Sequence, residues 1–274
     1  SQSFTFLDST RVSDVRWSGS FFVVETERGT LRSLQLVGAD GAYSIVNRIF
    51  QLARPRGQAT ALELEVPRDR RCECRAPRFD FGIVEKGYGW VFPKDRYWSV
   101  GLYSLADRTP GMRDRLKDYA KSNGFQWDSS FETTIHGHRY GVGGYRLRVP
   151  ESPLYLVGDA GGFAEATAGE GIYYAMESGR LAGDSAAAVH SGTASHRYFY
   201  RRLRKSVLAD TFLSWHVSRI FYRDPAFWLQ RLGWPVVWRP LVQGYAEGET
   251  IAFCLIKLLP LLNRSRGEAF LTAH

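Results

Sequence analysis

The sequence predicts an α/β fold with an antiparallel sheet inserted into it and a helical end. Three observations carry that expectation. An apolar run of strand length at 154–157 leads through Gly158-Asp159 and a second turn, Ala168-Gly169-Glu170-Gly171, into a long segment of helical pattern. Between residues 50 and 150, strand patterns follow one another with a single helix among them, the signature of an antiparallel sheet. From Ser195 onward the chain is basic and aromatic, and Pro225, Pro235 and Pro240 cut it into short helices.

The first elements alternate. Residues 10–17, 20–26 and 30–37 read as three short strands joined by turns at Ser18-Gly19 and Glu27-Arg28-Gly29, a β-meander. It runs into Val37-Gly38-Ala39-Asp40-Gly41-Ala42, with Ser44 placed to cap a helix. Further strands are expected over 61–66, 79–84, 97–102 and 131–138. A helix is expected over 113–123, with Leu116 and Tyr119 on one face and Gly124 as its stop. Tyr140-Gly141-Val142-Gly143-Gly144 reads as a glycine-rich crossing back to the first domain. In the segment after Gly171, Ala175, Ser178, Gly179 and Ala182 share a face and allow close packing. A bare helix start there would offer free N–H groups to an anionic or electron-rich ligand, with glycine letting it touch the backbone.

A chain of 274 residues suffices for one large or two medium domains. Its 44% hydrophobic and 14% aromatic content excludes disorder. A net charge of +8 and a pI near 9.5 favour anionic partners: phosphates, a membrane surface or nucleic acid. No nucleic-acid fold motif appears, so nucleic acid is not expected. Cys72, Cys74 and Cys254 make no disulfide framework, and one C-x-C falls short of the roughly four ligands of a zinc site. His136 and His138 share a strand face and read as polar strand residues; no metal is expected. No signal peptide is visible, and no apolar run reaches the ~20 residues of a spanning helix. The longest apolar candidate, 251–262, contains Lys257 and Pro260.

GDAGGFAEATAGEGI resembles the second FAD fingerprint of para-hydroxybenzoate hydroxylase-like flavoproteins, and GEGIYYAMESGRLA most resembles the geranylgeranyl reductase family. The resemblance implies that Gly158 and Asp159 meet the ribityl chain of FAD. It also implies that Gly169, Glu170, Gly171 and Ile172 present backbone N–H groups to the pyrimidine edge of the flavin. Those N–H groups would stabilise the negative charge of reduced flavin. The family usually carries Pro where Ala166 or Thr167 stands here. GADGAYSIV resembles the motif between the two FAD fingerprints, which implies that Asp40 and Gly41 lie near the pyrophosphate. No G-x-G-x-x-G precedes Asp40, and the first residue is Ser1. The resemblance therefore begins at the meander, the family's N-terminal part is expected to be missing, and the isolated chain is expected to be inactive.

GYGWVFPKDRYWSVGLY resembles the Y-x-W-x-F-P…G-x-G motif of geranylgeranyl reductases, carried by Tyr88, Trp90, Phe92, Pro93 and Gly101. Tyr103 stands where that motif has its second glycine. By resemblance these residues wall the substrate channel, and large aromatics suit a long apolar chain. No catalytic side chain is named: Tyr88 is a proton donor by type but wall-forming by resemblance.

The implied architecture is α/β with an α+β insert. An incomplete FAD-binding Rossmann-like domain occupies 1–49 and 150–192, an antiparallel-sheet substrate domain 50–149, and a helical, membrane-facing C-terminal region 193–274. In that last region Phe212, Trp215, Trp228, Trp234 and Trp238 alternate with Arg219, Arg223, Arg231 and Arg239. Such a pattern suits either a lipid interface or a cap with its aromatics turned inward. The implied function is FAD-dependent reduction of isoprenoid double bonds, with NAD(P)H or a ferredoxin-type protein as electron donor. The implied location is the cytoplasm, peripherally at a membrane. The alternatives are an aromatic-ring monooxygenase or halogenase on the same fold, or a lipid-binding remnant without flavin.

Overall fold

A computed structural model describes residues 4–68, 76–106, 108–127 and 134–231. Strands β1 (Val12–Trp17), β2 (Phe22–Thr26) and β3 (Gly29–Ser33) form the meander, in antiparallel register. The single strand expected over 30–37 is two. The chain leaves the meander at Ser33, and β4 (Leu36–Gly38) joins a different sheet. Gln35 fixes the switch: its Nε2 donates to Ala186 O at 3.0 Å and its Oε1 accepts from Tyr155 Oη at 2.8 Å.

Helix α1 (Ile45–Phe50) starts at Ser44, whose hydroxyl accepts the Asn47 N–H at 2.8 Å, as expected of that residue. The five-stranded sheet that follows has the order β6-β7-β8-β5-β9, all antiparallel. Its members are β5 (Ala53–Pro67), β6 (Arg78–Phe81), β7 (Gly87–Pro93), β8 (Tyr97–Ser104) and β9 (Ile135–Leu147). Leu62, Leu64, Val66, Val91, Val100 and Leu102 point to one face and meet α2 (Met112–Ser122) through Met112, Leu116 and Tyr119. Burying such side chains stabilises by roughly 1.5–3 kcal/mol each and gives the sheet its rigid back.

The glycine-rich crossing expected at 140–144 is the interior of β9, which runs unbroken to Leu147. Those glycines serve packing. A Cβ at Gly143 would stand 3.0 Å from the Trp215 indole, and one at Gly57 on the partner strand 2.4 Å from it. Phe131 lies outside the described residues, as do Cys72, Cys74 and the chain beyond Arg231.

Strand β10 (Leu154–Leu156) pairs parallel with β4. It leads into the single turn α3 (Gly158–Gly161) and then, through a loop, into α4 (Ile172–His190). Gly158 has φ +54°, and its N–H donates to Ser178 Oγ at 3.0 Å. A side chain there would press on Ala175. Of the small residues expected on one packing face, Ser178 and Ala182 are buried, while Ala175 and Gly179 are not. Helix α6 (Val207–Phe221) lies along β9 of the sheet, α5 (Arg197–Lys205) packs against α4 and α6, and α7 (Pro225–Arg231) follows. Phe199, Tyr200 and Leu203 of α5 are fully buried, and Trp215 of α6 packs among the aromatic residues of the sheet.

Candidate flavin site

Two acidic turns lie past the carboxyl ends of adjacent parallel strands. The Val157 N–H donates to Gly38 O at 3.0 Å, so Asp40 and Asp159 leave β4 and β10 side by side. In open α/β sheets that crevice is where ligands bind. Asp40 is already engaged: its carboxylate accepts from Ser44 Oγ (2.6 Å) and from the N–H groups of Ile45 (2.7 Å) and Val46 (3.2 Å). It thereby holds the start of α1, with Gly41 at φ +75° making the turn between them. Asp159 is different. Its side chain is 31% exposed, and its described partner is His138 Nε2 at 3.3 Å.

The start of α4 is not bare. Glu170 reaches round, and its Oε1 accepts the Tyr173 N–H at 2.8 Å. Partial burial raises the pKa of Glu170, opposed by those backbone donors. A carboxylate at this end complements the positive pole of the helix, as a bound anion would. Gly169 has φ +74°, and any side chain on it would strike the ring of Tyr103. Gly171 has room around its α-carbon, with Asp159 Oδ1 the nearest atom to a built Cβ at 3.6 Å. Beside it Ile172 and Met176 stand 77% and 71% exposed.

Behind this turn lies one face of the five-stranded sheet. The strand pairs place Phe81, Tyr88, Tyr103, Ala61 and His138 in one row, and Phe79, Trp90, Gly101, Glu63 and His136 in the next. Gly101 is required by Trp90: a Cβ there would lie 2.0 Å from the indole, which covers that strand. The indole N–H donates to Ser99 Oγ at 2.9 Å, and Ser99 donates to Glu63 Oε1 at 2.5 Å. Phe92 stacks on Trp90 with ring centroids 6.1 Å apart, and Pro93 ends the strand. Exposed Phe79 extends this wall toward solvent.

Tyr88 has a role that the sequence pattern does not reveal. Its hydroxyl donates to Ala168 O in the loop before the glycine turn. Burial, with the Glu165 carboxyl nearby, pushes its pKa upward, so the hydroxyl keeps its proton. Tyr103, in place of the motif's second glycine, is fully buried and donates to Ala166 O at 2.8 Å. These two departures from the family pattern therefore touch each other. The contacts of Glu165, Ser214 and His138 with this region join residues far apart in sequence. Only the alternation 136, 138, 140 along one strand hints at one of them.

The residues present fit a flavin. A half-buried carboxylate that meets one imidazole among the described residues is placed to accept polyol hydroxyls, a glycine turn lies beside it, and apolar side chains flank the turn. Among the described residues no group of three His, Cys, Asp or Glu is placed to hold a metal ion. Among them, too, no helix is long and apolar enough to cross a membrane.

The fold is that of FAD-dependent oxidoreductases of the para-hydroxybenzoate hydroxylase-like group. It superposes on a geranylgeranyl bacteriochlorophyll reductase-like protein of Thermoplasma acidophilum with a TM-score of 0.63 and 18% identity, over 78% of this chain and 58% of that one. The chain belongs to the geranylgeranyl reductase family of these enzymes. It is 34% identical over 221 residues to an uncharacterised protein of Methanosarcina barkeri, covering 80% of this chain and 56% of the relative. It is 30% identical to digeranylgeranylglycerophospholipid reductase 2 of Methanothermobacter thermautotrophicus, over 72% of this chain and 51% of the relative. The chain thus spans about half the length of the curated relatives it matches. No protein-family model matches it.

Proposed function

We propose that the protein is an FAD-dependent reductase that saturates double bonds of an isoprenoid, geranylgeranyl-type chain on a lipid. The observation that carries this reading is one convergence. Asp40, Asp159 and the turn Gly169-Glu170-Gly171 meet at the carboxyl ends of two parallel strands, against an aromatic sheet face. The names of the curated relatives support the substrate class.

FAD, when bound, supplies the hydride; the protein supplies position and surroundings. Asp159 would hold the cofactor by accepting hydrogen bonds from the ribityl hydroxyls. Gly41 would let the backbone approach the cofactor and the peptides from Gly169 to Ile172 would line it, while Gly158, buried against Ala175, lets α4 close on the turn that carries Asp159. Trp90, Phe92 and Phe79 exclude water and bury an apolar chain, with Gly101 giving Trp90 its place and Pro93 closing the strand. Tyr88 is a wall and a loop support rather than a proton source. Exposed Phe212, Leu213, Ile220 and Phe227, with Arg219 and Arg223 among them, form a surface suited to a bilayer holding the substrate.

The test supplies the complete gene product, reduced chemically, with a phospholipid bearing geranylgeranyl chains. Mass spectrometry should find two hydrogens gained per reduced bond. Oxygen uptake on an aromatic substrate, with the lipid unchanged, would replace this reading by that of a monooxygenase. Lipid binding by a protein that takes up no flavin would leave a binding protein only.

A further inference from the structure

The loop that ends in the glycine turn is held from behind by side chains of four separate elements. Glu165 is wholly buried. Its carboxyl accepts the N–H of Ala168 at 2.7 Å, the N–H of Thr167 and the hydroxyl of Ser214. Ser214 Oγ in turn accepts the Ala166 N–H at 2.9 Å. The Glu165 N–H donates to Glu170 O at 2.7 Å and closes the loop on itself. Four successive carbonyls, of residues 166–169, then accept four tyrosine hydroxyls: Tyr103 at 2.8 Å, Tyr222 at 2.6 Å, Tyr88, and Tyr140 at 3.2 Å. Those tyrosines come from β8, the end of α6, β7 and β9.

We infer that Glu165 and Ser214 are positioning residues, a latch through which helix α6 sets the shape of the loop and so the placement of the flavin turn. The inference rests on the flavin reading of that turn. A carboxyl is costly to bury, and packing alone would be served better by an apolar side chain. Here the carboxyl is matched to donors of the loop itself and of one helix. The depth of that helix is set in turn. Trp215, next to Ser214, lies against Gly57 and Gly143, where any larger residue would press on the indole and lift α6 from β5 and β9. Acceptors for peptide N–H groups, hydroxyl donors for peptide carbonyls and the seat of α6 thus converge on one short segment. Preorganised peptide groups favour a bound charge because nothing has to reorganise when it arrives.

The latch is tested without flavin by amide hydrogen exchange on the 274-residue chain. Ser214→Ala and Glu165→Gln should each speed exchange over residues 166–168 by about tenfold or more, the factor that corresponds to ~1.4 kcal/mol. The amides of β5 and β8 should keep their rates, and Ser214→Thr should restore the slow exchange. In the complete gene product the same two variants should weaken FAD binding by about tenfold, read from flavin fluorescence, with Ser214→Thr again restoring it. Unchanged exchange at 166–168, or a uniform rise through the whole sheet, would overturn the latch. So would flavin affinity that ignores both variants. A parent protein that takes up no flavin sinks the flavin reading instead, and the exchange pattern still decides whether the latch exists.

Discussion

Asp159, in the turn α3, and Glu165, in the loop that follows it, lie six positions apart and have opposite surroundings. Glu165 is fully buried and meets three donors. Asp159 is 31% exposed and meets one imidazole. Burial is worth having for a carboxyl only when its lone pairs are filled from within. A carboxyl with unfilled lone pairs at the rim of a crevice is available to something else. The difference teaches that the back of this loop is fixed for shape, and in the flavin reading its front meets the ligand. Both ends carry an acidic residue, so composition alone does not distinguish them.

The sharpest break of that comparison is stability. Glu165→Ala leaves the Thr167 and Ala168 amides without partners in the interior, at roughly 1–3 kcal/mol each. A loss of about 2–6 kcal/mol in urea unfolding is expected. Asp159→Ala should stay within about 1 kcal/mol of the parent, since a half-exposed contact with histidine is screened by solvent. If Asp159→Ala proves the more damaging change, the assignment of front and back is reversed.

Cofactor affinity should rank the two ends differently. In the complete gene product Asp159→Ala should lose about 1.5–3 kcal/mol of FAD binding, the range of a hydrogen bond to a charged group. The reading to take is the flavin-to-protein ratio after purification and the dissociation constant by titration. A variant that carries as much flavin as the parent removes Asp159 from the ribityl chain.

Acid dependence separates them further. Burial raises the pKa of Glu165 above its ordinary 4.5, because the interior disfavours the charged form. The sign follows from linkage. A group with a raised folded pKa contributes stability that is fully present below the unfolded value and is lost as pH rises through the folded one. Urea midpoints of the parent should therefore fall, relative to those of Glu165→Gln, as pH climbs from about 4.5 toward neutrality. Parallel curves for the two proteins would show that the carboxyl stays ionised in its pocket.

The smallest effect concerns the tyrosines. Tyr103→Phe removes one buried hydrogen bond and should cost on the order of 1 kcal/mol. Tyr140→Phe should cost less, since its bond to Gly169 O is 3.2 Å long. Thermal melts that reverse this order would shift the weight of the cage toward β9.

Much of the plan was legible along the chain because it depends on near neighbours. The strand-to-glycine turn at 154–158, the cap by Ser44 and the stop of α2 at Gly124 are local patterns, set by dihedral freedom and by side chains within reach of the backbone. The motif strings likewise gave, by resemblance, Asp159 to a cofactor and Trp90 and Gly101 to a substrate channel. Ser33 ends one sheet and Leu36 begins another because Gln35 finds partners more than a hundred residues away. The glycines of β9 look like a linker until α6 is laid upon them. Whether an aromatic faces inward also lies beyond local pattern: Trp215 is packed among the sheet aromatics, while Phe212, three positions before it, is exposed with the Arg56 guanidinium over its ring.

By itself, then, the sequence determined where the turns, caps and small residues fall, since those follow from each residue's own backbone and its nearest neighbours. Through strings that pair a glycine turn with an acid it marked the family, whose members are FAD-dependent. Only the tertiary structure decided which acid is buried and which is open, and which hydroxyls meet which carbonyls. Burial and hydrogen-bond partners depend on segments brought together from distant parts of the chain, and no periodicity in any one segment encodes what will lie across from it.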